Sequence, residues 1–300
     1  MAANVFRLKL IVIATIAISF AIVLSAPSPV VPANTYPVDD SGIPILIQDI
    51  SDIPQPLIDD ASEVATDLFG NSEEKCRDFV SQLLNIYLAA KDKDVIIIFN
   101  SGGFGWTPIV EAPDKQEFFK GIEFKVNALG YSSLLLNHFR TEKTLNGYLS
   151  EFMAEVGFYP SKAVDLATRV EFLTKHIPGI KVILAGESNG TGICERVMQI
   201  LQENTQVYSI QLGPPFWSKG LLSDRSLVLR SNGKIPDTFS HGDLITIIHA
   251  NIETLFGISQ DNPGNILFYI GAPGHDYSWE YEEVRSQVIK YLDRWLENYS

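Results

Sequence analysis

The chain has 300 residues, 46% apolar, 20% charged and 11% aromatic, a balance that suits a packed globular protein and excludes a disordered one. With 36 acidic residues against 23 basic ones the net charge is −13, which argues against a nucleic-acid partner, because phosphate binding needs a cationic face. Two cysteines, Cys76 and Cys194, are too few for a disulfide scaffold or a cysteine-built zinc site, and read as free thiols more readily than as one bridge.

Residues 10–26 carry no charge, and as a helix they would reach about 26 Å, near the lower limit for crossing a bilayer core. Arg7 and Lys9 precede the run and no acid occurs before Asp39, so the N-terminus is expected to stay cytoplasmic while the rest is exported. Residues 1–26 therefore read as a signal peptide or an uncleaved signal anchor. Leu24 and Pro27 around the small pair Ser25-Ala26 favour the anchor. In both readings the exported remainder carries −15 and is extracytoplasmic: membrane-anchored, or secreted after cleavage. Residues 27–44, with Pro27, Pro29, Pro32 and Pro37, read as a stiff extended tether, and residues 45–300 as one folded domain.

From residue 72 helical and β-branched segments alternate. A helix is expected at about 72–91, with Asn71 and Glu74 at capping-box spacing. The run Val95-Ile96-Ile97-Ile98-Phe99 reads as a strand buried on both faces of a parallel sheet. There follow a helix at 115–129, a strand at 132–136, helices at 144–157 and 162–177, a strand at 181–185 and a helix at 191–203. Strands at 207–212, 226–230 and 266–270 and a last helix at 282–297 complete the series. The rhythm predicts an α/β domain with one doubly wound, mostly parallel sheet of about six strands.

Between the strand ending at Ala185 and its helix stands Gly186-Glu187-Ser188-Asn189-Gly190. This G-x-S-x-G suits a nucleophile elbow: a strand turning at once into a helix lifts its central residue in a strained conformation, and small neighbours let adjacent backbones approach. Gly186, Gly190 and Gly192 also fit the G-x-x-x-G-x-G cofactor loop of short-chain dehydrogenases. That reading, a nicotinamide-dependent oxidoreductase, is the weaker alternative. Several strands precede the loop, the one Tyr-x-x-x-Lys (Tyr87, Lys91) lies upstream, and no acid ends the next strand to hold a ribose.

A serine nucleophile needs a histidine base and a carboxylate to orient it. Of five histidines only His275 follows the last expected strand, in a Gly/Pro-rich turn. The acid is expected after the strand at 226–230, as Asp237, with Asp243 the alternative. Backbone N–H groups of Asn189 and of Gly103, in the glycine loop after Phe99, are the expected oxyanion donors. Phe104, Trp106, Phe216 and Trp217 flank the same edge as a candidate apolar substrate pocket.

In this order the motifs resemble the α/β-hydrolase superfamily over about residues 94–300, and Gly-Glu-Ser is similar to the elbow of carboxylesterases. The resemblance implies hydrolysis of an ester, thioester or amide through an acyl-enzyme, without cofactor or metal, on a small-molecule or lipid-like acyl substrate. Asn100-Ser101 stand where many members have His-Gly, and residues 45–93 are helical in pattern where the family opens with antiparallel strands. The expectation from a different class is a non-catalytic hydrolase-fold module, tethered to the membrane for binding or assembly.

Overall fold

The computed structural model describes residues 34–38, 53–141, 160–218, 223–255 and 271–296. The expected membrane or signal segment, the helix at 144–157 and the strand at 266–270 lie outside these residues. Among the described residues no helix is long and apolar enough to cross a membrane.

Six strands form one sheet: β1 (Asn34–Val38), β2 (Val95–Asn100), β3 (Ser133–Phe139), β4 (Lys181–Glu187), β5 (Val207–Leu212) and β6 (Ser226–Leu229), in the order β1-β3-β2-β4-β5-β6. Strands β2 to β6 are parallel and β1 runs antiparallel on the edge beside β3. Every residue of β2 and β5 is buried, because helices cover both faces and no alternation with water is possible. On one face Val95, Ile97 and Phe99 pack against α3 (Pro113–Ala128) and α8 (Glu282–Leu296). On the other, Ile96 and Ile98 meet α2 (Glu73–Ala90), α4 (Pro160–His176) and α5 (Asn189–Ile200). A further helix, α1 (Gln55–Phe69), seals α2 and α4 from outside through Leu57, Ala61 and Ala65.

Strand β1 corrects the expected extent of the tether. Asn34–Val38, read within the Pro-rich stretch, belongs to the sheet: Thr35 pairs with His138, Val38 joins the core, and Tyr36 stacks near Phe139. Pro37 is tolerated because an edge strand can do without one ladder donor. The capping box at Asn71 and Glu74 does not form either; Ser72 occupies the N-cap of α2 without a side-chain cap bond.

From β2 the chain steps outward to β3 and then back past β2 to β4, so the strand order reverses at β2. Carboxyl ends of strands at such a reversal diverge and leave a crevice. The glycine loop after β2 and the serine turn after β4 flank it.

Candidate active site

Ser188 stands between β4 and α5 with φ 49° and ψ −124°, and is the one non-glycine residue at positive φ among the described residues. That conformation costs about 1–3 kcal/mol for a side chain with Cβ and persists only where its surroundings hold it. Here they do: the Ser188 N–H donates to the Leu212 carbonyl at 2.9 Å, and the Thr191 N–H and hydroxyl donate to the Ser188 carbonyl at 2.9 and 2.6 Å. The flanking glycines are steric necessities. A Cβ on Gly186 would lie 2.7 Å from Cys194 Sγ and from the Gly190 carbonyl, and one on Gly190 would lie 2.2 Å from the Asn100 carbonyl. Gly190 thereby lets the start of α5 pack directly on the end of β2.

Asp237 is fully buried at the N-cap of the one-turn helix α6 (Thr238–His241). Its Oδ1 accepts the backbone N–H groups of Phe239 and Ser240 at 2.9 and 3.0 Å. Its Oδ2 accepts from His275 Nδ1 at 2.9 Å and the Tyr277 hydroxyl at 2.8 Å, and lies 2.9 Å from the Ser240 hydroxyl. Burial pushes the Asp237 carboxyl up, but the His275 hydrogen bond and charge, with the Ser240 N–H and the Tyr277 hydroxyl, outweigh it and hold the pKa below the usual value. An ionised Asp237 requires the proton on His275 Nδ1, which leaves Nε2 as the acceptor. Asp243 is elsewhere engaged: exposed, one residue before α7 (Leu244–Leu255), it caps that helix by accepting the Thr246 N–H and hydroxyl at 3.1 and 2.7 Å.

The His275 imidazole lies over Gly213, directly after β5; a Cβ there would sit 2.7 Å from its Cε1. Leu212, the preceding residue, is the one that holds the Ser188 N–H, so serine and histidine share one strip of the sheet edge. Among the described residues no hydrogen bond joins Ser188 Oγ to His275; such bonds are commonly long without substrate and tighten on binding.

Asn189 opens α5, where first-turn N–H groups lack helical acceptors. The glycine loop lies against the serine through Gly102, whose added Cβ would be 3.2 Å from Ser188 Cβ; Gly103 follows at φ 54°. Phe104 stacks on Trp106 with ring centroids 4.8 Å apart. Phe216 and Trp217, 43% and 40% exposed, begin an aromatic file that runs through Phe239 to the His275 ring, with centroid spacings of 4.8, 5.5 and 4.9 Å. The two aromatic pairs thus belong to the serine-side loop and the histidine side respectively.

Several side chains at the site escaped the sequence reading. Tyr277 and Ser240 bind Asp237, Phe239 packs on His275, and Lys115 of α3 joins Glu187 Oε1 at 2.5 Å to the Tyr277 carbonyl at 3.2 Å. Arg140, after β3, holds the glycine loop from beneath. None carries a local motif, although Asp237 two and three residues before Phe239 and Ser240 has N-cap spacing. Cys194 sits under the elbow, fully buried, and burial pushes its thiol up to about 12, so it is no nucleophile. Both cysteines are free. No three His, Cys, Asp or Glu side chains among the described residues are grouped to hold a metal ion.

Among solved structures the chain is similar to a Trichoderma reesei cutinase in complex with a phosphonate inhibitor, at 12% identity and a TM-score of 0.43, over 82% of this chain and 94% of that one. No family model and no curated protein matches the chain.

Proposed function

We propose that the protein is a serine hydrolase that cleaves a small acyl ester, thioester or amide. The observation that carries this reading is the strained Ser188 on the sheet edge it shares with the hydrogen-bonded Asp237–His275 pair. His275 Nε2 takes the Ser188 hydroxyl proton as Oγ bonds to the acyl carbonyl carbon, and the electron pair moves to the carbonyl oxygen. The Asn189 N–H, with one from the Gly102–Gly103 stretch, receives that oxyanion. Collapse expels the alcohol, thiol or amine, which leaves with the proton from His275. Water, deprotonated by the same imidazole, then releases the acid and restores Ser188. Asp237 keeps the imidazole in the required tautomer throughout. The aromatic pairs supply apolar surface for the acyl chain. The uncharged run at 10–26 supports an extracytoplasmic location, on a membrane anchor or free after cleavage.

A fluorophosphonate serine probe tests the reading. Expected is one phosphonyl group on Ser188, absent from Ser188→Ala, with parallel loss of p-nitrophenyl ester turnover. Asp237→Asn is expected to lower kcat by about 10⁴ through the wrong imidazole tautomer, whereas Asp243→Asn, which keeps a capping side chain, leaves it nearly unchanged. The second reading is the non-catalytic module. An unlabelled Ser188, under conditions that label a known esterase, decides for that one.

A further inference from the structure

Arg140 is almost fully buried, directly after β3, with its guanidinium under the glycine loop that follows β2. Its Nη1 donates to the Ser101 carbonyl at 2.6 Å and its Nη2 to the Gly103 carbonyl at 3.2 Å, while its own backbone N–H donates to the Gly105 carbonyl at 2.9 Å. Three carbonyls of five consecutive residues are thus turned toward one side chain and its backbone. The loop is shaped to admit it: Gly105 has φ 74°, and a Cβ there would lie 2.5 Å from Arg140 Cζ.

Trans peptide units are planar with C=O and N–H on opposite sides, so binding a carbonyl also sets the direction of the following N–H. With the Ser101 carbonyl drawn to Arg140, the Gly102 N–H is turned away from the buried guanidinium. Gly102 is also the loop residue that touches the nucleophile, with its added Cβ 3.2 Å from Ser188 Cβ. Neither Gly102 nor Gly103 donates its N–H to another group among the described residues. The Gly102–Gly103 peptide is engaged differently, because the Gly102 carbonyl accepts from the Gly105 N–H at 3.2 Å inside the loop.

We propose that Arg140 is the positioning residue for transition-state stabilisation, fixing the peptide planes of the glycine loop so that the Gly102 N–H, rather than that of Gly103, is the second oxyanion donor beside Asn189. This rests on the serine-hydrolase reading and assigns the donor within it. Lysine cannot replace arginine here, since a single ammonium lacks the planar fork that spans two carbonyls. The loop carbonyls would then be free to rotate, and with them the N–H groups.

The test compares the full chain with Arg140→Lys and Gly105→Ala, the second pressing on the same guanidinium from the loop side. Loss of one oxyanion donor lowers kcat by about 10²–10³. Arg140→Lys is expected to lower kcat about 100-fold on p-nitrophenyl esters, with KM changed less than about 3-fold and the phosphonylation rate of Ser188 reduced in parallel. Gly105→Ala is expected to repeat this split. In 15N-glycine spectra of the phosphonylated chain, the Gly102 amide proton should move further downfield than that of Gly103. A merely structural role would lower melting temperature and active fraction but leave kcat per labelled site intact. If Arg140→Lys does not fold, Gly105→Ala and the glycine spectra decide. Active wild type with kcat retained in a folded variant, or the larger shift on Gly103, overturns this proposal and leaves the hydrolase reading standing. Wild type inert to both ester and phosphonate overturns both.

Discussion

Tyr277→Phe removes one oxygen from the centre of the buried acid site. The Tyr277 hydroxyl donates to Asp237 Oδ2 at 2.8 Å and also lies 3.2 Å from the Leu229 carbonyl. That carbonyl keeps its bond from the Gly213 N–H at 2.9 Å, so the loss falls on the carboxylate. A hydrogen bond to a charged group contributes about 1.5–3 kcal/mol. The lower end applies, because the Ser240 hydroxyl, now shared between the Pro214 carbonyl at 2.7 Å and Asp237 at 2.9 Å, can turn fully to the acid. The expected cost is about 1.5 kcal/mol, or about 3–6 °C in melting temperature for a domain of this size. Its pH dependence has a definite sign. Asp237 has a folded pKa below its unfolded value, so its stabilisation is fully present above the unfolded value of about 3.9 and is lost as pH falls through the folded value. Removing a donor to the carboxylate raises the folded pKa, so the gap between wild type and variant is widest at neutral pH and narrows in acid. Urea unfolding of both chains at pH 7 and in steps from about pH 4 down to about pH 2 measures it. A gap that keeps its size through the whole acid series, or one below about 0.5 kcal/mol at pH 7, refutes the role given to Tyr277.

Ser188→Gly should abolish ester turnover yet raise stability by about 1 kcal/mol, since glycine relieves the strain at φ 49° but loses more chain entropy on folding; a lower melting temperature counts against strain at the elbow. Gly190→Ala should cost about 3 kcal/mol despite better helix propensity, because the new Cβ meets the backbone carbonyl of Asn100 at 2.2 Å; a denaturation midpoint close to wild type contradicts this. Iodoacetamide at neutral pH should modify the folded chain at half-buried Cys76 and spare Cys194, whose thiol is inaccessible and pushed up to about 12, with both reacting after urea; alkylation of Cys194 in the native state refutes it.

The central strands of the parallel sheet were legible because burial on both faces writes them as apolar runs, Val95–Phe99 in β2 and Val182–Ala185 in β4. Val207–Leu212 is as fully buried, with Ser209 and Gln211 accommodated by hydrogen bonds to Ser226 and to each other. Strand β3 outran its apolar portion to Phe139, since Asn137 and His138 are buried by partners: the Ile109 N–H bonds Asn137, and the Thr35 hydroxyl bonds His138. Strand β1 was not legible. Thr35, Tyr36 and Val38 favour a strand, but Pro37 interrupts them in a Pro-rich stretch, and their pairing edge lies about a hundred residues further along the chain.

The sequence by itself marked the elbow by its spacing of small residues around Ser188; at Gly186 the steric demand is local, since a Cβ there meets Cys194 and Gly190, whereas at Gly190 it comes from the Asn100 carbonyl at the end of β2. It also narrowed the candidate acid to two aspartates and the candidate base to one histidine by chain order. Only the tertiary structure distinguishes Asp237 from Asp243 as a partner of His275, since both cap helices and differ in what lies across from them: His275 and Tyr277 for one, solvent for the other. Arg140 under the glycine loop and Lys115 between the elbow and the histidine loop were likewise decided there. Their partners lie tens of residues away, and a hydrogen bond between distant segments exists only after the sheet has brought their ends to one edge.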